Sequence, residues 1–225
     1  MKLSPQWIRD FVDLTVDDSR LAEDLTNVGT AVEGIGGTGA DTVFEMEIGT
    51  NRPDAMNHYG VAREAAAVYD LPLKPIAAKL PSMEKAAPYK ASVGTAEAVP
   101  FPVIVEEPAL CPRFSARVIR GTRIVPSPEK VAHRLQLIDQ RPISNAVDAT
   151  NYVLWEIGKP THVFDMDLLE GGKIIVRKAR AGETLITLDG VERKLSTEDL
   201  VVCDAKKPVG LAGVRGGYAT MITEK

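Results

Sequence analysis

The chain has 225 residues, 44% hydrophobic, 26% charged and 5% aromatic, which excludes a disordered tail, a collagen-like repeat and a coiled coil and allows one large domain or two small ones. Its 27 Lys and Arg against 31 Asp and Glu leave a formal charge of −4, so no basic excess announces a nucleic-acid partner. The longest apolar runs, such as Ala65-Ala66-Ala67-Val68, and the Met1-Lys2-Leu3-Ser4-Pro5 start without an apolar signal core point away from a membrane and from secretion, toward the cytoplasm.

Ser4-Pro5 is an N-cap followed by proline at the first helical position, and Trp7, Ile8, Phe11 and Val12 recur at helical spacing behind it. A second helix starts at Asp18-Ser19, turns Leu21, Leu25 and Val28 to one side and stops at Gly29. Thr30 to Ile35 reads as a short strand, followed by the turn Gly36-Gly37-Thr38-Gly39. In Val43 to Ile48 the apolar Phe44, Met46 and Ile48 alternate with Glu45 and Glu47, the pattern of a half-buried strand. Asn51-Arg52-Pro53-Asp54 breaks it, and an alanine-rich helix runs from about Met56 to Tyr69.

Six prolines then fall between Leu71 and Pro102. At that density neither a helix nor a central strand continues, which marks an interdomain linker. Beyond it, Val103 to Glu106 and Phe114 to Arg120 read as strands. A helix starts at Ser127-Pro128-Glu129 with Val131, Leu135 and Ile138 inward, and another covers Val147 to Ile157 and stops at Gly158. Lys173 to Arg177 and Thr184 to Leu188 read as strands, Asp189-Gly190 as a hairpin turn into Val191 to Lys194, and Val201-Val202-Cys203 as a buried run. The class is α+β.

Cys111 and Cys203 stand far apart and read as structural thiols, while His58, His133 and His162 are too scattered to suggest a metal site. Val209 to Gly217 holds four glycines around small apolar residues, either a structural turn or backbone that a ligand approaches. Thr150-Asn151 reads either as a helix-surface pair or as part of a pocket, and His162 as a loop histidine or a site residue; with Arg141 they form a polar set in an apolar stretch. Arg52 either closes the strand-to-helix turn with Asp54 or pairs with a partner's carboxylate or phosphate.

Several stretches, in order, resemble the N-terminal part of the bacterial phenylalanyl-tRNA synthetase β subunit. They are Asn51-Arg52-Pro53-Asp54 with Gly60-Val61-Ala62-Arg63-Glu64, Cys111-Pro112-Arg113-Phe114, and Arg117-Val118-Ile119-Arg120-Gly121. Asp148-Ala149-Thr150-Asn151-Tyr152-Val153, Gly158-Lys159-Pro160-Thr161-His162-Val163-Phe164-Asp165, Thr187-Leu188-Asp189-Gly190-Val191-Glu192-Arg193 and Leu211-Ala212-Gly213-Val214 follow. The resemblance implies a first domain over residues 1–85, a linker over 86–102 and part of a tRNA-editing module of the B3/B4 type over 103–225. It implies an enzyme of two α and two β subunits that charges tRNA(Phe) with phenylalanine using ATP and magnesium, neither bound by this chain, while the β subunit hydrolyses mischarged tyrosyl-tRNA. The implied catalytic residues are His162, Asn151 and Thr150, and the implied substrate-binding residues are Arg141, Gly213 and Ala212. His162 and Asn151 would orient the water or the ester, and Arg141 would contact the tRNA end.

There are departures. In the family a glutamate soon after the Leu-Ala-Gly-Val stretch binds the tyrosine hydroxyl, and this chain ends at Thr223-Glu224-Lys225. Only a glycine turn stands near Gly36 to Asp41, where relatives insert an oligonucleotide-binding domain, and Arg215 replaces a usual methionine. The family's magnesium-binding carboxylates and anticodon-binding domain lie further on. The expectation is therefore a truncated editing module, with neither aminoacylation nor efficient editing by these residues alone. The alternative is a free-standing, non-catalytic module that binds tRNA or a synthetase.

Overall fold

In the computed structural model, which describes residues 1–76 and 101–223, Ser4-Pro5 starts a helix of one turn, α1 (Pro5–Ile8). The Ser4 side chain accepts from the Trp7 N–H, the capping bond the sequence predicts. The helix stops short of Phe11 and Val12. Both are buried all the same, because successive turns carry the chain across the same core. Helix α2 (Asp18–Asn27) is capped by Asp17 and ends before Gly29, whose φ of +90° suits the left-handed exit.

Strands β1 (Lys2–Leu3), β2 (Ala31–Gly36) and β3 (Val43–Glu47) form an antiparallel sheet in the order β1-β3-β2. The sequence predicts only a strand pair here; β1 is too short to carry a periodic signal. Phe44 and Met46 of β3 are buried while Glu45 and Glu47 face solvent, as the alternation requires. Helix α3 (His58–Val68) follows, with Asn57 as its N-cap.

The contacts divide the chain into two units. One comprises Met1–Lys79 and Ile124–Thr161, the other Leu80–Arg123 and His162–Lys225. Residues Ile124–Thr161, expected to share a domain with the rest of 103–225, therefore pack with the N-terminal elements. They bring α4 (Glu129–Leu137) and α5 (Asn145–Ile157) to the first unit. The linker expected at 86–102 lies outside the described residues up to residue 100.

The first unit closes on one core containing Leu3, Trp7, Ile8, Leu21, Leu25, Phe44, Val61, Ala65 and Ile138. At its centre Trp7 stacks on His58, with ring centroids 3.9 Å apart, and lies 4.4 Å from Tyr152. The Arg134 guanidinium sits 5.0 Å over the Trp7 ring, pairs with Asp10 at 2.7 Å and donates to the Tyr152 hydroxyl at 2.7 Å. Trp7 Nε1–H donates to Glu156 at 3.3 Å.

In the second unit β4 (Val103–Val105), β5 (Ile174–Lys178), β8 (Leu200–Cys203), β9 (Pro208–Leu211) and β10 (Arg215–Gly216) form a sheet in the order β10-β9-β8-β5-β4. Only the β4–β5 pair is parallel. β6 (Thr184–Ile186) and β7 (Glu192–Lys194) make a hairpin through Asp189-Gly190, Gly190 adopting φ +77°. The strand expected at Phe114 to Arg120 is absent. That stretch has no ladder partner among the described residues and leaves Ile119 70% exposed; side-chain alternation alone does not supply the backbone hydrogen bonds a strand needs. Among the described residues no helix is long and apolar enough to cross a membrane.

Candidate functional site

The glycine-rich run Val209 to Gly217 folds as the hairpin β9–β10. Gly210 pairs with Gly216, and the turn Ala212-Gly213-Val214 has Gly213 at φ +71°. Apart from its chain neighbours, nothing lies within 4 Å of the position a Cβ would take at Gly213, so the tip faces open space there. Ala212 lies at the edge of the apolar cluster of the second unit and donates its N–H to Leu200 O at 3.0 Å.

His162 belongs to the same unit and lies against the base of this hairpin. A Cβ at Gly216 would overlap the imidazole, coming 2.5 Å from Nε2 and 3.1 Å from Nδ1. Phe164 meets the ring edge-on, with centroids 4.5 Å apart and planes at 78°. Solvent still reaches the residue. The protein covering the rest of the ring removes water from it and pushes its pKa below the usual histidine value. A neutral imidazole at pH 7 can accept a proton from a bound water or orient one.

The hairpin is tied to β6–β7 by polar contacts. The Leu188 N–H donates to Gly216 O at 3.1 Å, and Thr187 bridges to Gly217. Asp189 accepts from Thr187 Oγ1 at 2.5 Å and from the guanidinium groups of Arg193 and Arg215, each at 2.9 Å. The Thr187 hydroxyl, first, and then the Val191 N–H and Arg193 hold its carboxyl down at about 2, against a partial loss of hydration. Arg215 thus has an ion-pair partner within its own unit.

Arg141, Thr150 and Asn151 belong to the first unit. Thr150 and Asn151 are half-buried on α5, and the Thr150 hydroxyl donates to Val147 O at 2.6 Å. Arg141 is exposed in the loop before α5. Contacts at three positions hold this helix. Buried Asp148, in its first turn, accepts from Ser127 Oγ at 2.5 Å and from the Ile143 N–H at 2.9 Å. At its end Gly158, at φ +70°, packs on the Asn57 side chain, which would lie 2.7 Å from a Cβ there. One turn earlier the Trp155 carbonyl accepts from His58 Nδ1–H at 2.7 Å.

His58 itself is enclosed. Its Nε2 accepts from the Ser4 N–H at 3.0 Å, which places the proton on Nδ1. Burial pushes its pKa down to about 3, with the Arg134 charge a smaller contribution in the same direction and the Trp155 hydrogen bond opposing both. Arg52 takes the local role, with Asp54 at 3.0 Å and Glu64 at 2.7 Å, and Arg63 also pairs with Asp54. Cys203 is buried, Cys111 half-buried, and both are free thiols. Among the described residues no group of three His, Cys, Asp or Glu side chains is placed to hold a metal ion. The residue that sequence reasoning missed is Gly216. The glycine run pointed to the hairpin, but nothing local says which of its glycines another side chain covers.

The family model for the B3/4 domain matches residues 110–225. The phenylalanine–tRNA ligase beta subunit of Moorella thermoacetica is 45% identical over 183 residues, 81% of this chain and 22% of that protein. The same subunit of Geobacter sulfurreducens is 46% identical over 186 residues, 82% of this chain and 22% of that protein. That of Streptococcus pneumoniae is 44% identical over 185 residues, with 82% and 22% covered. The chain spans about a fifth of the length of these curated relatives. An N-terminal fragment of the phenylalanyl-tRNA synthetase beta subunit from Pyrococcus horikoshii aligns over 100% of this chain and 64% of its own, with a TM-score of 0.47 and 13% identity.

Proposed function

We propose, from the fact that this chain belongs to the B3/4 domain family, that it supplies the N-terminal part of a phenylalanyl-tRNA synthetase β subunit. In that enzyme it works with an α subunit and tRNA(Phe). The whole enzyme charges the tRNA at the expense of ATP with magnesium, and this chain contributes residues to the hydrolysis of mischarged tyrosyl-tRNA. Identity of about 45% to β subunits over four fifths of the chain supports the assignment.

Ester hydrolysis needs a water delivered to the carbonyl, a group to take its proton, and polar contacts that hold the ribose and amino acid. His162 is the acceptor or orienter of that water. In the same unit the backbone of Ala212 and Gly213 lies alongside the ligand. The observation that carries this reading is His162 itself: a histidine held neutral by desolvation, still reached by solvent, and resting on a glycine hairpin.

The test is calorimetric binding of an amide-linked tyrosyl-adenosine, a non-hydrolysable stand-in for the charged tRNA end, to the 225-residue chain. His162→Ala is expected to weaken binding by roughly tenfold, the loss of one hydrogen bond of about 1.4 kcal/mol. No binding, or affinity untouched by His162→Ala, overturns the reading.

A further inference from the structure

We infer that Gly216 is a positioning residue, whose missing side chain forms the seat of the His162 imidazole, and that the Arg215–Asp189–Arg193 ion pairs lock the hairpin carrying that seat. The consequence for hydrolysis rests on the role proposed above for His162; the seat itself does not.

The Gly216 backbone is not in the left-handed region, so its conformation does not call for glycine. The ring does. A Cβ would stand 2.5 Å from Nε2 and 3.1 Å from Nδ1 and nearer still to Cε1. Real carbon atoms do not approach so closely, and Gly216 is hydrogen-bonded on both sides. It pairs with Gly210 on one side and accepts from Leu188 N–H at 3.1 Å on the other, while the next N–H, of Gly217, bonds Val209 O at 2.8 Å. Any side chain at 216 therefore evicts the imidazole rather than moving the strand. With Phe164 edge-on at 4.5 Å, the ring is held in one orientation with neither nitrogen committed to a protein partner among the described residues.

β10 is a two-residue edge strand, a weak element alone. Its Arg215 reaches Asp189 Oδ2 at 2.9 Å, the same oxygen that takes Arg193 at 2.9 Å. Asp189 is further fixed by Thr187 Oγ1 at 2.5 Å. One carboxylate thus ties the turn of β6–β7 to the strand that carries the seat.

The experiment follows the His162 Cε1–H signal by NMR through a pH titration of the 225-residue chain. In the unmodified chain the imidazole titrates below pH 6.5, the ordinary value. Gly216→Ala is expected to shift the signal and bring its titration toward the ordinary value, with the amide signals of β5 and β8 unmoved. Arg215→Met and Asp189→Asn should each give a smaller shift in the same direction. A folded Gly216→Ala chain whose His162 signal and titration match the unmodified chain overturns the inference. Where Gly216→Ala fails to fold, an unmoved His162 signal in both Arg215→Met and Asp189→Asn overturns it. Binding of the tyrosyl-adenosine amide separates this inference from the editing role: a displaced ring with unchanged affinity upholds the seat and removes His162 from the ligand.

Discussion

His58 in the first unit and His162 in the second are both uncharged at neutral pH, and the reasons differ. His58 is sealed between Trp7 and two backbone partners, and both ring nitrogens are committed, to Ser4 N–H and to the Trp155 carbonyl. His162 lies on bare backbone and against one ring edge, with solvent on its open side. A histidine with both nitrogens used inside a core is a structural strut. One that is oriented by packing alone keeps its nitrogens for a ligand. The cores differ in the same sense. The first unit has one continuous cluster built on large side chains. The second has two smaller aliphatic clusters and relies on buried polar links, such as Arg177 paired with Glu183 at 2.7 Å and Asp204 taking three backbone N–H groups.

The largest effect should come from the centre of the first unit. Trp7→Ala removes the ring that His58, Tyr152 and Arg134 all touch, and a loss of about 3–5 kcal/mol is expected in urea unfolding. Hydrogen exchange should speed first in α3 and α5 and leave β5 and β8 protected. Equal loss of protection in both units would erase the distinction drawn between them.

Acid is the next probe. The native pKa of His58 lies far below the unfolded value, at about 3 against 6.5. As pH falls below 6.5 the unfolded chain takes up a proton that the native chain refuses. Its contribution is therefore complete above pH 6.5 and is lost as pH falls toward 3, by up to about 1.4 kcal/mol per pH unit. Urea midpoints measured from pH 7 to pH 4 should show this slope, and His58→Gln should flatten it. The same slope in both chains would mean that His58 is not the group responsible.

Much of the fold was legible because its signals are local. Capping at Ser4-Pro5, the alternation at Phe44 and Met46, the left-handed stop at Gly158 and the Asp189-Gly190 turn each involve residues a few positions apart. What escaped is non-local. Nothing near Arg134 announces that it will lie over Trp7 and pair with Asp10, which is why Ile124–Thr161 was expected in the other domain. Phe114 to Arg120 has the alternation of a strand but joins no strand ladder among the described residues. For the candidate site, His162 and the glycine run were both visible, but that Gly216 meets the ring is a product of strand register.

Two smaller effects sharpen the picture of the second unit. Gly217 is buried next to the seat, where a Cβ would come 2.7 Å from Val209 O and 3.0 Å from Leu185 Cδ1. Its φ of −84° is open to any residue, so the cost of Gly217→Ala is purely one of space. Overpacking of this kind costs about 1–3 kcal/mol, readable in urea unfolding followed by β8 and β9 amide signals. An unchanged midpoint would show that the hairpin can move aside, and would weaken the case for a rigid seat beside it.

Asp189→Asn should give the smallest change in stability, because its ion pairs with Arg193 and Arg215 lie at the surface, where such pairs contribute little. Its value is as a test of how the hairpins are joined. The carboxyl, held down at about 2 by its hydrogen bonds, stays charged throughout the native range. Its contribution is therefore present above its ordinary pKa and is lost only as pH falls toward 2. Salt reaches the same pairs at neutral pH, since the Debye length falls from about 10 Å at 0.1 M to about 3 Å at 1 M. Amide signals of β10 should move on adding salt to the unmodified chain and stay still in the Asp189→Asn chain. Equal movement in both would place the salt-sensitive contact elsewhere and leave the joining of the two hairpins to the Thr187 and Leu188 backbone bonds and to packing.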